Sequence, residues 1–401
     1  MDEHPHSLFT RRATLPITMF VQVAASAAVI APTVAAPLLV RRLHLAPAAV
    51  GFFIALVYLA AMFSSPIGAA LVRRFGPIRS SQVALVISAA GLSLLASPWV
   101  PLAALGALLV GVGYGPITPA SSQMLSSTTT PRYFALVFSI KQTGVPLGGV
   151  LAGLFVPPLV ALGGGVAALA GTAALCLAGA LSAVPLRREL DAGRDRANAR
   201  PGWRQMTAPM RFVLGHPVLR SVAACSLVFS MVQVSLTSFL VTFLTSDLHW
   251  TLVAAGAALA VSQVGGVVGR IVWGLVADRW LGARRMMLAL AGAMAGCAAA
   301  MLLLGGREPG LAALALLCLF GATAVGWNGV YLATVARLVP PQQAAAATAG
   351  TLFFTFFGVV IGPPLFGAAG SAFGSLGPAF ALLVLPLAWT LWALWRADWS
   401  I

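Results

Sequence analysis

The chain has 401 residues, 60% of them hydrophobic and 8% charged, with a formal net charge of +15 and a mean hydropathy of +0.95. A soluble domain carries about 25% charged residues, so this composition excludes one and indicates a polytopic membrane protein. The positive balance does not argue for nucleic acid, because the charges lie between apolar runs and gather in alternate loops, as arginine-rich cytoplasmic loops do.

Residues 1–12 are polar and then basic, and the apolar run behind them is long and ends without a small-residue cleavage site. It reads as a first span and not as a removable signal. Counting runs of about 20 apolar residues predicts twelve membrane helices. The first six cover 14–38, 48–72, 79–98, 101–125, 132–157 and 164–186. A charged stretch, 187–217, follows, and the second six cover 219–244, 252–277, 285–305, 310–336, 343–368 and 376–395. The expected fold is an all-α membrane protein of two pseudo-symmetric six-helix bundles, 1–186 and 218–401, joined by a cytoplasmic connector. With the N-terminus inside, most arginines fall on the cytoplasmic side and only Arg41, Arg42 and Arg307 fall outside. That imbalance predicts both termini in the cytoplasm and a cell inner membrane location.

The halves repeat each other. Gln22, Ser26 and Thr33 of span 1 return 204 residues later as Ser226, Ser230 and Thr237 of span 7, where Gln233 joins the stripe. Offsets of four and seven place these groups on one helix face. Either they bond between helices, or they line one shared cavity. In spans 4 and 10, Gly113-Tyr114-Gly115 corresponds to Gly326-Trp327-Asn328, with Tyr331 one turn on. Aromatic and amide groups of this kind orient a small ligand in an apolar cavity, or simply pack.

Span 5 carries Lys141, the single lysine of the chain. An ammonium at membrane depth is costly and by default marks a functional site. Gly144, Gly148 and Ala152 follow at helical spacing on the same face, where small residues admit another helix. Lys141 therefore points into a bundle, beside Gln142. Arg270 of span 8 is a second candidate for substrate contact, with snorkelling or a gate as its alternatives. The four cysteines lie in apolar runs without CxxC spacing and read as packing residues.

The loop after span 8 runs from Gly274 through Asp278, Arg279 and Gly282 to Arg284 and Arg285. It resembles the loop signature of the major facilitator superfamily, and twelve spans, a central loop and repeated halves fit the same resemblance over essentially the whole chain; within the superfamily, bacterial organic-anion carriers are the nearest in character. The resemblance implies a gating loop in which Asp278 pairs with arginines in one conformation and releases them in another. Two departures stand out. Leu281 is one residue more than the pattern holds, and the first-half copy has Arg73, followed by Arg74, where the acid belongs.

No P-loop, metal-ligand spacing or nucleophile–base pair is present, so no enzyme activity and no cofactor are expected. All nine acidic residues lie outside the spans or at their ends. A cavity with Lys141 and no carboxylate favours an anion. The expected function is a secondary or facilitative carrier of a small organic anion, working as a monomer in the lipid bilayer by alternating access. Its substrate contacts would be Lys141, Gln22, Ser26, Tyr114, Gln142, Ser230, Gln233, Arg270, Trp327, Asn328 and Tyr331. Its gate would be Arg73, Arg74, Gly274, Asp278, Arg279, Arg284 and Arg285. The alternatives are an efflux carrier for neutral or amphipathic compounds and a membrane receptor on a transporter fold.

Overall fold

A computed structural model describes residues 7–129, 137, 140–192, 210–305, 309–339 and 344–397. Among them there is helix and no strand. The first half contains α1 (Leu8–Val34), α2 (Ala36–Arg42), α3 (Ala49–Phe75), α4 (Pro77–Leu95), α5 (Val100–Tyr114), α6 (Ile117–Thr128), α7 (Gly144–Ser182) and the short α8 (Arg187–Leu190). The second half contains α9 (Pro217–Ser246), α10 (Leu252–Val276), α11 (Gly282–Ala300), α12 (Leu311–Ala324), α13 (Asn328–Arg337), α14 (Ala344–Phe373), α15 (Leu376–Leu382) and α16 (Val384–Arg396).

The starts are legible in residue chemistry. Proline stands in the first turn of α4, α5 and α9, where its missing N–H costs nothing. Thr251 caps α10 by accepting the N–H of Ala254 at 3.2 Å, satisfying one orphan donor. Both faces of α3 are apolar over most of its length, and size distinguishes them. On α3, Val50, Ile54, Val57 and Ala61 are buried, while Phe52, Leu59, Phe63 and Ile67 are exposed. On this helix the smaller side chains face inward and the larger ones outward, as expected where lipid is the solvent.

Among the described residues, nine helical stretches are long and apolar enough to cross a membrane. Two of them, Ile140–Leu190 and Leu252–Leu303, run 51 and 52 residues, about twice what one crossing needs. The first breaks at Gly163 and Gly164, the latter at φ 70°, a conformation glycine adopts without strain. Beyond the break, Gly171 lies against the side chain of Leu159. Twelve residues of straight helix would separate them by about 18 Å, so the chain reverses there. The second breaks at a π-turn, Ala277–Leu281, followed by Gly282 at φ 73°. With α3 added, this division is consistent with the twelve expected crossings.

The described residues fall into two compact units. One gathers Met1–Pro32, Leu56–Leu151 and Leu159–Pro201; the other gathers Thr33–Ala55, Ala152–Pro158 and Gly202–Ile401. The second unit thus takes in segments from both sides of the connector. Close backbone approach explains why: an added Cβ at Gly51 would run into the Pro363 carbonyl, and one at Gly153 into that of Gly256.

Each unit repeats one helix contact. In the first, a Cβ at Gly148 would stand 2.7 Å from the Val23 carbonyl oxygen and 2.6 Å from the Ser26 Cβ. In the second, a Cβ at Gly358 would run into the Leu227 carbonyl and stand 2.5 Å from the Ser230 hydroxyl. A glycine, a serine and the carbonyl three residues before that serine meet in the same way in both halves. This is the duplication expected from the paired stripes, now visible as packing.

Candidate functional site

The Gly148 contact brings α7 close enough to α1 for residue 141 to reach residue 22. Lys141 and Gln22 are both 0% exposed. The Lys141 Nζ donates to the Gln22 Oε1 at 2.8 Å and to the Gln142 Oε1 at 3.5 Å. The Gln22 Nε2 in turn donates to the Ser26 hydroxyl at 3.2 Å. An ammonium bonded to an amide oxygen makes a charge-assisted bond, stronger than a neutral one, so the cation is held at a defined place inside the first unit. Residues 131–136, 138 and 139, which precede it in the expected span, lie outside the described residues. Gln142 is half-buried beside it.

The second unit builds a different cluster. The Gln233 Oε1 accepts the Trp327 indole N–H at 2.9 Å and the Asn328 amide at 3.3 Å. Trp327 stands edge-to-face between Phe229, at 5.5 Å and 81°, and Tyr331, at 5.2 Å and 62°. Aromatic pairs prefer this geometry, which sets the positive edge of one ring on the negative face of the other. The Tyr331 hydroxyl lies among Ser226, Thr351 and Thr355, and Ser230 donates to the Thr355 carbonyl at 2.8 Å. Ser26 and Ser230 are thus both engaged where two helices pack. The remaining candidates make other contacts. Tyr114 sits edge-on to Tyr58 at 5.8 Å, and Arg270 donates its Nε to the Val325 carbonyl at 3.3 Å.

The expected gating residues divide. Asp278 bonds Arg337 at 2.8 Å, with the two side chains 56% and 61% exposed. Arg284 donates to the Trp395 carbonyl at 2.5 Å. Arg74 lies over the Phe75 ring at 5.3 Å, Arg279 and Arg285 are exposed, and Gly274 has open space where a Cβ would project. The side chain of Arg73 lies outside the described residues. Arg337, absent from the expected set, is the acid's partner; its place at the end of span 10 was the available signal. The extra residue of the loop also finds its place. A one-residue excess in a helix is absorbed by a π-turn, and Leu281 closes the π-turn that carries Asp278.

The family model described as Major Facilitator Superfamily matches residues 18–363. The chain belongs to that superfamily. Among curated proteins it is 26% identical over 289 residues to uncharacterized MFS-type transporters from two strains of Mycobacterium tuberculosis, CDC 1551 / Oshkosh and H37Rv; the match covers 70% of this chain and 62% of theirs. Solved superfamily structures share its fold. A bacterial homolog of the human lysosomal transporter Spinster, in an inward-facing and occupied conformation, superposes with a TM-score of 0.75 at 17% identity, covering 97% of this chain and 95% of that one. The nucleoside transporter NupG gives 0.74 at 16% identity, covering 96% and 99%. The expected superfamily and the all-helical membrane fold are therefore both established, and this superfamily member is a multi-pass membrane protein.

Proposed function

We propose that the protein is a secondary or facilitative carrier that moves a small organic anion, a carboxylate, across the membrane by alternating access. The observation that carries the reading is Lys141: a fully buried ammonium held by the amide oxygens of Gln22 and Gln142, in a chain whose acidic residues all lie outside the apolar runs or at their ends. A buried cation attracts an anion most strongly where water is scarce, and the Gln142 amide beside it supplies an N–H group of the kind a carboxylate also needs. Gln233 and Asn328 carry further amide donors in the second unit. Asp278 and its arginine partner serve the conformational cycle and not binding. The halves 1–186 and 218–401, with both termini cytoplasmic, are the moving parts of this reading.

A second reading rests on the aromatic cluster of Phe229, Trp327 and Tyr331. Such a surface suits a neutral ring-bearing cargo, of the kind named for the nucleoside transporter of similar fold, with Lys141 as a structural group. Counterflow in proteoliposomes separates the two. Under the anion reading, labelled carboxylates exchange and neutral nucleosides do not compete. Exchange of neutral compounds alone would establish the second reading, and binding without any flux would make the protein a receptor.

A further inference from the structure

At its arginine-rich end the first unit contains a cavity of about 360 Å3, lined by Arg79, Val184, Arg187, Arg188, Asp191 and Ala192. It belongs to neither polar cluster described above. Its floor is rigid. Asp191, 3% exposed, accepts the backbone N–H groups of Ile78 at 2.9 Å and Arg79 at 3.2 Å. A side chain at Gly76 would run into that carboxylate. Behind it, Val72, Ile78, Met124, Leu186 and Leu190 form one apolar cluster.

Among the described residues, the acidic groups at this end have fixed partners. The Asp191 oxygens are taken by the start of α4, and Glu189 accepts both the N–H and the hydroxyl of Ser7, at 2.9 and 2.7 Å. The arginines have more to give. Arg187 and Arg188 are exposed, and the buried Nε of Arg79 has no acceptor. Three guanidinium groups around one carboxylate leave the cavity positive. Apolar surface adjoins it: Leu181 is 70% and Val184 48% exposed.

We propose that this cavity binds a phosphate-bearing anion and that a phospholipid headgroup is its natural occupant. Guanidinium forks match phosphate oxygens in pairs, and basic pockets beside membrane helices are where anionic headgroups settle. The exposed Leu181 and Val184 give the acyl chains of such a lipid an apolar path that a free phosphate does not need. The same unit continues the theme, because Leu8, Phe9 and Arg12 line a second hollow of about 440 Å3, and the Ser7–Glu189 bonds tie that segment to α8.

The test uses the full chain in detergent, titrated with phosphatidylglycerol, phosphatidylcholine or inorganic phosphate while its melting temperature is followed. Phosphatidylglycerol is expected to raise it saturably and phosphatidylcholine is not. In the double variant Arg187→Gln/Arg188→Gln, the apparent affinity for phosphatidylglycerol is expected to fall about 25-fold, taking about five-fold per surface arginine, while Arg211→Gln leaves it unchanged. Both substituted side chains are exposed, so the fold is not at stake; Arg79→Gln, which also alters packing, serves as a third variant. Inorganic phosphate that reproduces the shift and blocks the lipid's would support the phosphate site and identify the free anion as its occupant. Identical phosphatidylglycerol titrations in wild type and double variant, or no response to either phosphate source, would overturn the proposal.

Discussion

Lys141→Met isolates the charge of the proposed site, since methionine keeps much of the stem and loses the ammonium. Two energies oppose each other in its effect on folding. The wild type holds a fully buried cation whose desolvation costs several kcal/mol. Against this, the variant leaves the Gln22 Oε1, now bonded at 2.8 Å, without that donor, and a hydrogen bond to a charged group contributes about 1.5–3 kcal/mol. The two nearly cancel, so stability should change little. Binding is not balanced in this way. Losing one partner of a desolvated charge pair costs about 2–5 kcal/mol. An incoming carboxylate must first take Nζ from Gln22, which offsets part of the gain in the wild type, so the net loss belongs near the lower end, about 2 kcal/mol or roughly 30-fold in Kd. The assay is equilibrium binding and proteoliposome counterflow of the best anionic substrate, with wild type, Lys141→Met and Lys141→Arg at matched reconstitution. Arginine keeps the charge but changes its reach and shape, and should retain partial activity with altered preference. Near-normal affinity and flux in the methionine variant would refute the assignment, make the lysine structural and favour the neutral-cargo reading.

Other expectations follow from the same geometry. Asp278→Asn removes an ion pair whose two side chains are 56% and 61% exposed; exposed pairs contribute about 0–1 kcal/mol, so turnover should slow while Kd moves less than three-fold, and a Kd loss as large as that of Lys141→Met would show that Asp278 belongs to the site. Gly148→Val and Gly358→Val should each lower the melting temperature, because each places atoms where a backbone carbonyl already lies, whereas Gly292→Val, at a position with open space, should not. Burial raises the carboxyl pKa of Asp191 above its ordinary value, opposed by the N–H groups of Ile78 and Arg79 and by the Arg79 and Arg187 charges. A raised folded pKa means that the native state holds this proton more tightly. The associated stability is complete below the ordinary carboxyl range and is lost as pH rises through the raised value. Asp191→Asn should abolish that pH-dependent component of the melting curve, and an unchanged pH profile would count against it.

Hydropathy showed where the chain crosses the membrane because each crossing is long and apolar, and a lipid-facing helix has no other solution. The breaks inside the two longest apolar runs fall where the span count divided them, at Gly163-Gly164 and at Ala277–Leu281; what the sequence did not show is the backbone geometry of each reversal. Lys141 was conspicuous as an isolated charge, yet its bond to Gln22, 119 residues away, depends on α7 packing against α1, where Gly144 lies against Gln22 and Gly148 against Val23 and Ser26. The serine stripes were legible as a repeat, but periodicity does not distinguish a helix contact from a cavity wall; the bond from Ser230 to the Thr355 carbonyl supplies that contact. Leu281 read as an irregularity of the loop because a π-turn differs from an α-turn by one residue and leaves no compositional mark. Asp191 looked like one charge among many in the connector, and its bonds to the start of α4 need three dimensions to see.

The bond between Lys141 and Gln22 also bears on release. A carrier that grips its cargo too firmly delivers slowly, since the barrier to departure grows with every kcal/mol of affinity. On the proposed reading Gln22 is a resident occupant: it would surrender the ammonium when a carboxylate arrives and reclaim it when the carboxylate leaves, so neither half of the exchange would leave a bare buried charge. The amide would then trade equilibrium affinity for speed. Its replacement by an apolar side chain should produce a protein that holds its anion longer and turns over more slowly.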